Sequence, residues 1–354
     1  MPVTLSQSPD AAANRTRDAG GIVIGIESTA HTFSFGYVDG LGVPGPAKSA
    51  FVRPVEGGIH PREAADHHAA HSGELVRKLL DESYFGADDI VAVAYSQGPG
   101  LGPCLRIGAS CARALATRLD VPLVGVNHCV AHIEIGREQC GCDDPVLLYA
   151  SGANTQVIAR LDGRYRVLGE TLDIGIGNML DKFAREQGIP FPGGPKIESL
   201  AAEYLAANPD ATLTGLELPY AVQGMDLAFS GILNAALKMV RDGVELGAVC
   251  WSIQEHVFAA CVEVAERAMA HTGKTELLLG GGVACNSRLR GMCDVMTAER
   301  EGSSHVPAKM FCIDNGSMIA TLGRLQLLWG SPTKLEESGV MQDLRTDQTE
   351  ILWH

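Results

Sequence analysis

Twice along this chain a pair of apolar strands gives way to helical segments and then to a strand that ends in glycines and leads into a helix, and that rhythm leaves few folds open. The first pass begins at Gly21, where GIVIGIEST and HTFSFGYVDG read as two strands rich in β-branched and aromatic residues. Residues 61–80 then read as a helix, IVAVAYSQGPGLG as a strand with a glycine loop, 106–119 as a helix and PLVGVNH as a further strand. The second pass opens on PVLLYASGANTQVIARLDGRYRVLGE, runs through helical segments near 177–186, 197–206 and 229–241, and closes on TELLLGGGVACNSRL. Alternating strands and helical crossovers imply mostly parallel sheets in an α/β fold, here a duplicated one with two lobes and the ligand in a central cleft. Residues 250–271 are apolar around more than half of a helical circumference, which predicts a buried helix between the lobes. The expected organisation is a flexible tail over 1–20, a first lobe over 21–145, a second lobe with inserted helices over 146–330 and a C-terminal segment over 331–354.

Composition narrows the function classes. The chain of 354 residues is 46% hydrophobic, enough for a large core and incompatible with a disordered chain. Its net charge is −14 without any Lys/Arg run, so a strong free-standing grip on nucleic acid is excluded, and an RNA substrate requires basic partners or a local patch. No apolar run reaches the roughly 18 residues a membrane helix needs, and the opening segment lacks a signal-peptide core, so no membrane and a cytoplasmic location are expected. The ten cysteines carry no CxxC motif, and Cys140-Gly-Cys142 is their only close pair. Reduced, mostly buried thiols are expected, with neither a zinc ribbon nor a disulfide framework.

Several constellations carry chemistry. His128 and His132 follow a strand directly, and their i, i+4 spacing stacks both imidazoles on one helix face within reach of one metal ion. HxxxH alone is commonly two unrelated histidines, but placement at a strand end favours a ligand pair. His67 and His71 share the spacing in an Ala-rich helix away from any strand end, which suits surface or packing roles. Neither pair is HExxH, so the general base of the common zinc proteases is missing. The turn that follows Tyr149 is either a phosphate cradle or an ordinary hairpin. Asp181 and Glu198 flank a Pro/Gly loop, as a ribose clasp or as a solvated helix start and a stiff loop. The glycines before Asn286 suit a nucleobase or phosphate against bare backbone. Asp314 precedes an apolar helix, either as a third metal ligand or as an N-cap.

Together the motifs GIESTAHT, SQGPGLG, VNHCVAHIEIGR, YASGANTQVIA, ETLDIGIGNMLDKFAR, PGGPKIE, MDLAFSGI, GGGVACNSRL and FCIDNGSMIA resemble the tRNA threonylcarbamoyladenosine synthases of the TsaD type, in the archaeal and eukaryotic branch that works in the KEOPS complex, over roughly residues 21–350. The resemblance implies the fold shared by actin, sugar kinases and heat-shock ATPases. It implies one metal ion per chain, iron or zinc ahead of manganese or magnesium, held by His128, His132 and Asp314 and approached by Tyr149. It assigns Tyr149, Ala150, Ser151, Gly152, Ala153, Asp181, Gly194, Glu198 and Asn286 to the adenylate-like substrate. The implied reaction moves a threonylcarbamoyl group from threonylcarbamoyl-adenylate to N6 of adenosine 37 of tRNA with release of AMP. The implied partners are KEOPS-type subunits, including a small atypical kinase. Glu27 and His31 are expected as polar supports on the first hairpin. Two letters depart from the family pattern, Ser28 and Ala153 each standing where glycine is usual, and Ala153 raises the demand for a negative φ.

Three other readings compete. A phosphotransferase of the same fold suits the glycine loops, but kinases hold Mg²⁺ through oxygen and not through paired histidines. A metallopeptidase lacks its HExxH base. A non-catalytic scaffold that organises a kinase and small subunits is compatible with catalysis in the same chain.

Overall fold

The computed structural model describes residues 20–52 and 59–353. The expected tail, apart from Gly20, lies outside the described residues. Contacts divide the chain into two compact units, Met1–Ile135 with Asp314–His354, and Gly136–Ile313.

The first unit is built on β1 (Ile22–Glu27), β2 (Thr32–Val38), β3 (Lys48–Phe51), β4 (Ile90–Gly98) and β5 (Leu123–Asn127), in the order β3-β2-β1-β4-β5. The hairpin pairs β1–β2 and β2–β3 are antiparallel, whereas β1–β4 and β4–β5 are parallel. Every residue of β1 and β2 is buried, so both faces of these strands are covered, although Glu27, Thr32 and Ser34 stand among their apolar residues. Side chains alternate across a strand. Ile22, Ile24 and Ile26 therefore join Leu75, Leu79, Ala109 and Ala112 of the helices Pro61–Glu82 and Gly102–Leu119 in one core. The opposite face receives the helix Gly316–Trp329 through bare backbone. A Cβ on Gly25 would lie 2.1 Å from the Gly316 carbonyl oxygen, and one on Gly36 would lie 2.2 Å from the Ser317 nitrogen.

The second unit repeats this plan. Its sheet comprises β6 (Val146–Ala150), β7 (Thr155–Leu161), β8 (Arg164–Glu170), β11 (Glu276–Gly280) and β12 (Ser303–His305), in the order β12-β11-β6-β7-β8. Between β8 and β11 lies the two-residue ladder β9 (Val222–Gln223) and β10 (Asp226–Leu227). Again the hairpin pairs are antiparallel, and β6–β11 and β11–β12 are parallel. Two sheets with the same neighbours in the same directions establish the duplication that the letters alone did not display.

Three expectations change. The helix Leu246–Thr272, expected between lobes, packs on Gly194–Ala207, Ser287–Glu299, β6 and β7 within the core of the second unit. The boundary falls at 135/136 and not at 145/146, because the unit changes inside the helix His128–Cys140, where periodicity is continuous. Residues 314–330 belong with the first unit, since Gly316–Trp329 seats on Gly25 and Gly36. Helices also start earlier than expected at Gly102 and Gly194, each with proline in its first turn, where the missing N–H costs nothing.

Candidate functional site

In the first unit, β5 ends in Asn127, whose Oδ1 accepts the backbone N–H groups of Cys129 (2.9 Å) and Val130 (3.3 Å). That cap starts the helix at His128 and sets the register that faces His128 and His132 toward one point. Their rings lie 4.8 Å apart between centroids at 83°. Both turn Nε2 to the same carboxylate oxygen, Asp314 Oδ1, at 3.7 Å from His128 and 3.2 Å from His132. Asp314 is not the helix cap. Asn315 takes that role, accepting the N–H of Met318 at 2.9 Å, and Ser34 Oγ accepts the N–H of Gly316 at 3.0 Å. The carboxylate of Asp314 is thereby left for the histidines.

Behind His128 stands Glu27, fully buried at the end of β1. Its Oε2 lies 3.0 Å from His128 Nδ1, and its Oε1 accepts the Thr29 N–H (2.7 Å) and hydroxyl (2.5 Å). A carboxylate at Nδ1 fixes the proton there and presents Nε2 as the donor atom, the usual support for a metal-ligating histidine. Burial opposes a charge on His128, but the charge and hydrogen bond of Glu27, with help from Asp314, push the imidazole up to about 9. Burial, with His128 beside it, keeps His132 below the ordinary histidine range. Burial also works against the Asp314 carboxylate, yet the hydrogen bond from His132 and the charge of His128 hold it well below the usual range.

The donor atoms of His128, His132 and Asp314 all lie within 4.8 Å of one another. Two imidazoles and a carboxylate, with the tautomer of one imidazole set by a buried glutamate, fit a transition-type divalent cation better than Mg²⁺. His67 and His71 join no such three-residue group among the described residues. His71 Nδ1 lies 2.8 Å from the carbonyl oxygen of His67, a helix-surface contact. His31 lies near Phe51, with ring centroids 6.3 Å apart, and its charge favours the ionised Asp314.

The second unit carries the residues assigned to the adenylate. Tyr149 is buried in β6 opposite Gly280 and Gln156. After Ala150 the chain turns through Ser151–Asn154 and packs on the start of the helix Ile176–Glu186. There the N–H groups of Gly177 and Asn178 donate to the carbonyls of Ser151 (3.0 Å) and Gly152 (2.8 Å). Gly175 must be glycine, since a Cβ would meet the Ala153 carbonyl oxygen at 2.3 Å. Among the described residues only Asp120, Asp162 and Glu301 carry positive φ without being glycine, so Ala153 sits unstrained at the exposed turn. Ser28 is accommodated in the same manner: it is buried against Ser96 and faces Gly108, where a side chain would collide.

Asp181 and Glu198 do flank the Pro/Gly loop. Asp181 Oδ1 accepts the Gly193 N–H at 2.7 Å, and Glu198 Oε1 accepts the N–H and hydroxyl of Ser287 at 2.8 and 2.5 Å. Gly194 opens the helix that carries Glu198. Asn286 caps the helix Ser287–Glu299 through Oδ1 and donates to Gln254 at 2.8 Å. Its amide therefore organises the loop from within. The caps Asn127 and Asn315 were not singled out from sequence, although an Asn between a strand or turn and an apolar helix is their standard signal.

A duplicated five-stranded α/β unit of this order defines the fold shared by actin, sugar kinases and heat-shock ATPases. Thermococcus kodakarensis HypF shows the same fold, with a TM-score of 0.60 and 15% identity over 87% of this chain and 48% of that one. The family described as TsaD, tRNA N6-adenosine threonylcarbamoyltransferase, matches residues 48–321. A tRNA N6-adenosine threonylcarbamoyltransferase of Methanocella arvoryzae is 53% identical over 94% of this chain and 98% of its own length. A probable bifunctional tRNA threonylcarbamoyladenosine biosynthesis protein of Methanospirillum hungatei is 51% identical, and the chain spans 61% of its length. The chain belongs to the tRNA N6-adenosine threonylcarbamoyltransferase family.

Proposed function

We propose that this chain moves the threonylcarbamoyl group of threonylcarbamoyl-adenylate to N6 of adenosine 37 in tRNA and releases AMP. The observation that carries the reading is the convergence of His128, His132 and Asp314, with Glu27 locking one imidazole, in a member of this transferase family. In the reaction N6 attacks the carbamoyl carbonyl carbon, the bond from that carbon to the phosphate oxygen breaks, and N6 loses a proton to solvent. The anhydride is already activated and AMP leaves as an anion, so no nucleophilic side chain is needed and positioning supplies most of the acceleration.

His128, His132 and Asp314 would hold the metal, iron or zinc ahead of manganese or magnesium. When bound it supplies Lewis acidity toward a carbonyl or phosphate oxygen. Glu27 holds the His128 Nδ1 proton, so Nε2 is the atom that would give up its proton to the metal. In the second unit, the turn Ser151–Asn154 and Gly194 offer backbone to the adenylate, and Asp181 and Glu198 accept from its ribose hydroxyls. The net charge of −14 repels the tRNA backbone, which supports a requirement for basic partner subunits of the KEOPS type, with a small kinase among them.

The test is formation of threonylcarbamoyladenosine and AMP from threonylcarbamoyl-adenylate and tRNA, with and without KEOPS-type partners. Turnover that the partners raise and that His128→Ala removes is the expected result. ATP-dependent phosphorylation of a sugar, without modified tRNA, would replace this reading with the phosphotransferase one.

A further inference from the structure

A second group of metal-ligating side chains lies in the second unit, on residues for which threonylcarbamoyl transfer has no use. Cys140 ends the helix His128–Cys140, Cys142 follows in the loop, Glu276 opens β11 and His305 closes β12. In the parallel β11–β12 register Glu276 pairs with Ser303 and Leu278 with His305. Period-two alternation therefore sets Glu276 and His305 on one face as diagonal neighbours. The donor atoms of Cys142, Glu276 and His305 lie within 4.8 Å of one another, and His305 Nε2 is 4.0 Å from Glu276 Oε1.

The arrangement is built, not incidental to a flexible surface. Glu276 Oε2 accepts the backbone N–H groups of Asp143 (3.0 Å) and Asp144 (3.1 Å). These bonds fasten the loop carrying Cys142 to the strand and turn Oε1 toward His305. Cys142 is buried, and its thiol is hydrogen-bonded to that of Cys140. Three donors, from the loop, β11 and β12, thus meet at one sheet edge, with the Cys140 thiol beside Cys142 as a fourth. We propose that Cys140, Cys142, Glu276 and His305 form a zinc(II) site.

Two sulfurs, an imidazole and a carboxylate match the tetrahedral preference of zinc and exclude the oxygen-seeking Mg²⁺ and Ca²⁺. Bond lengths of about 2.0–2.3 Å place tetrahedral ligand atoms roughly 3.3–3.8 Å apart, so side-chain rotation closes the site. The Ser303 hydroxyl, 2.8 Å from His305 Nε2, gives way to the ion. Binding deprotonates both thiols, so one Zn²⁺ enters, two protons leave, and no electrons move. The ion would tie the edge strand β12 and the end of the helix to β11.

The experiment is a titration of the metal-free, reduced full chain with Co²⁺, followed by displacement with Zn²⁺. A thiolate-to-cobalt charge-transfer band is expected from this site and not from the His128/His132/Asp314 centre, which has no sulfur. The band should persist in the His128→Ala/His132→Ala double variant and vanish in the Cys140→Ser/Cys142→Ser double variant. Glu276→Gln, which can still accept the two backbone N–H groups, should weaken Co²⁺ binding by about tenfold or more. Zn²⁺ should also raise the melting temperature of the His128→Ala/His132→Ala double variant and not of the same variant carrying Cys140→Ser and Cys142→Ser, provided its circular dichroism is native. Absence of the band in the wild type, or its survival in natively folded Cys140→Ser/Cys142→Ser, overturns the proposal.

Discussion

The sheets of the two units have the same strand order but end their first strands differently. β1 runs into Glu27 and Thr29, buried groups that meet His128 and, through it, Asp314. β6 runs into Ala150 and then the small-residue turn Ser151–Asn154, in which the Ser151 and Gly152 carbonyls accept from the next helix. Beside it Gly281, at φ 86°, leaves no room for a Cβ, which would lie 2.4 Å from the Ala150 carbonyl oxygen. One copy of the scaffold has filled this position with side-chain donors, and the other has cleared it down to backbone. Buried charge demands partners or an ion, whereas bare backbone admits close approach of a ligand. Duplication therefore preserved the strands while chemistry diverged in the turns.

The largest expected effect breaks the first half of that contrast. His128→Ala and His132→Ala should each abolish metal retention, measured by mass spectrometry of the purified protein, while AMP affinity changes little. His67→Ala and His71→Ala should leave the metal in place. Loss of metal from this second pair, with retention in the first, would reassign the centre.

Glu27→Gln sharpens the same half, because it keeps an acceptor for Thr29 but removes the charge at His128 Nδ1. A lost supporting carboxylate of this kind costs about 10–100-fold in metal affinity. The pH dependence has a definite sign. His128 in the metal-free protein holds its proton up to about 9, so the metal competes with that proton below this value. Affinity should rise with pH up to about 9 in the wild type. The slope should flatten in Glu27→Gln, where the proton is held less tightly. Equal slopes in metal titrations would remove Glu27 from the centre.

Much of this was legible in sequence for a physical reason. The spacing of His128 and His132 after an apolar strand fixes two rings on one helix face, and continuous apolar runs reveal strands buried on both sides. The seating of Gly316–Trp329 on Gly25 and Gly36 was not legible, since glycine in a strand signals close approach without naming what approaches. Glu27 was expected as a polar support, but its partner His128, 101 residues away in sequence, was not legible. The unit boundary was hidden because a helix that changes unit keeps its periodicity throughout. Cys140 and Cys142 looked like ordinary thiols because their neighbours Glu276 and His305 arrive only with the β11–β12 register.

In the second unit, Asp181→Ala and Glu198→Ala should weaken AMP binding by about tenfold each, as expected for lost charge-assisted hydrogen bonds of roughly 1.5–3 kcal/mol. Metal content should stay constant on the same samples. The structure adds a control: each carboxylate also holds a backbone N–H, of Gly193 or Ser287. Asp181→Asn and Glu198→Gln preserve those acceptors and should still lose affinity. Unchanged calorimetric affinity in the amide variants would reduce both residues to loop supports.

The smallest expected effect concerns Ala153, the one place in the cleared turn where a methyl group stands. It lies exposed outside the left-handed region, and the helix start packs on its carbonyl oxygen, against which Gly175 fits. The methyl therefore neither strains the backbone nor fills the packing behind the turn. Ala153→Gly should chiefly loosen the unfolded chain, a cost of about 0.4–1 kcal/mol, equivalent to roughly 2 °C or less in melting temperature for a chain of this size. AMP affinity should stay within about threefold, since less than about 0.7 kcal/mol is at stake when no bond is made or lost. Calorimetric titration beside a melting curve separates the two terms. A tenfold gain in affinity would mean that the methyl obstructs phosphate, and the turn would then be less fully cleared for a ligand than its glycine neighbours suggest.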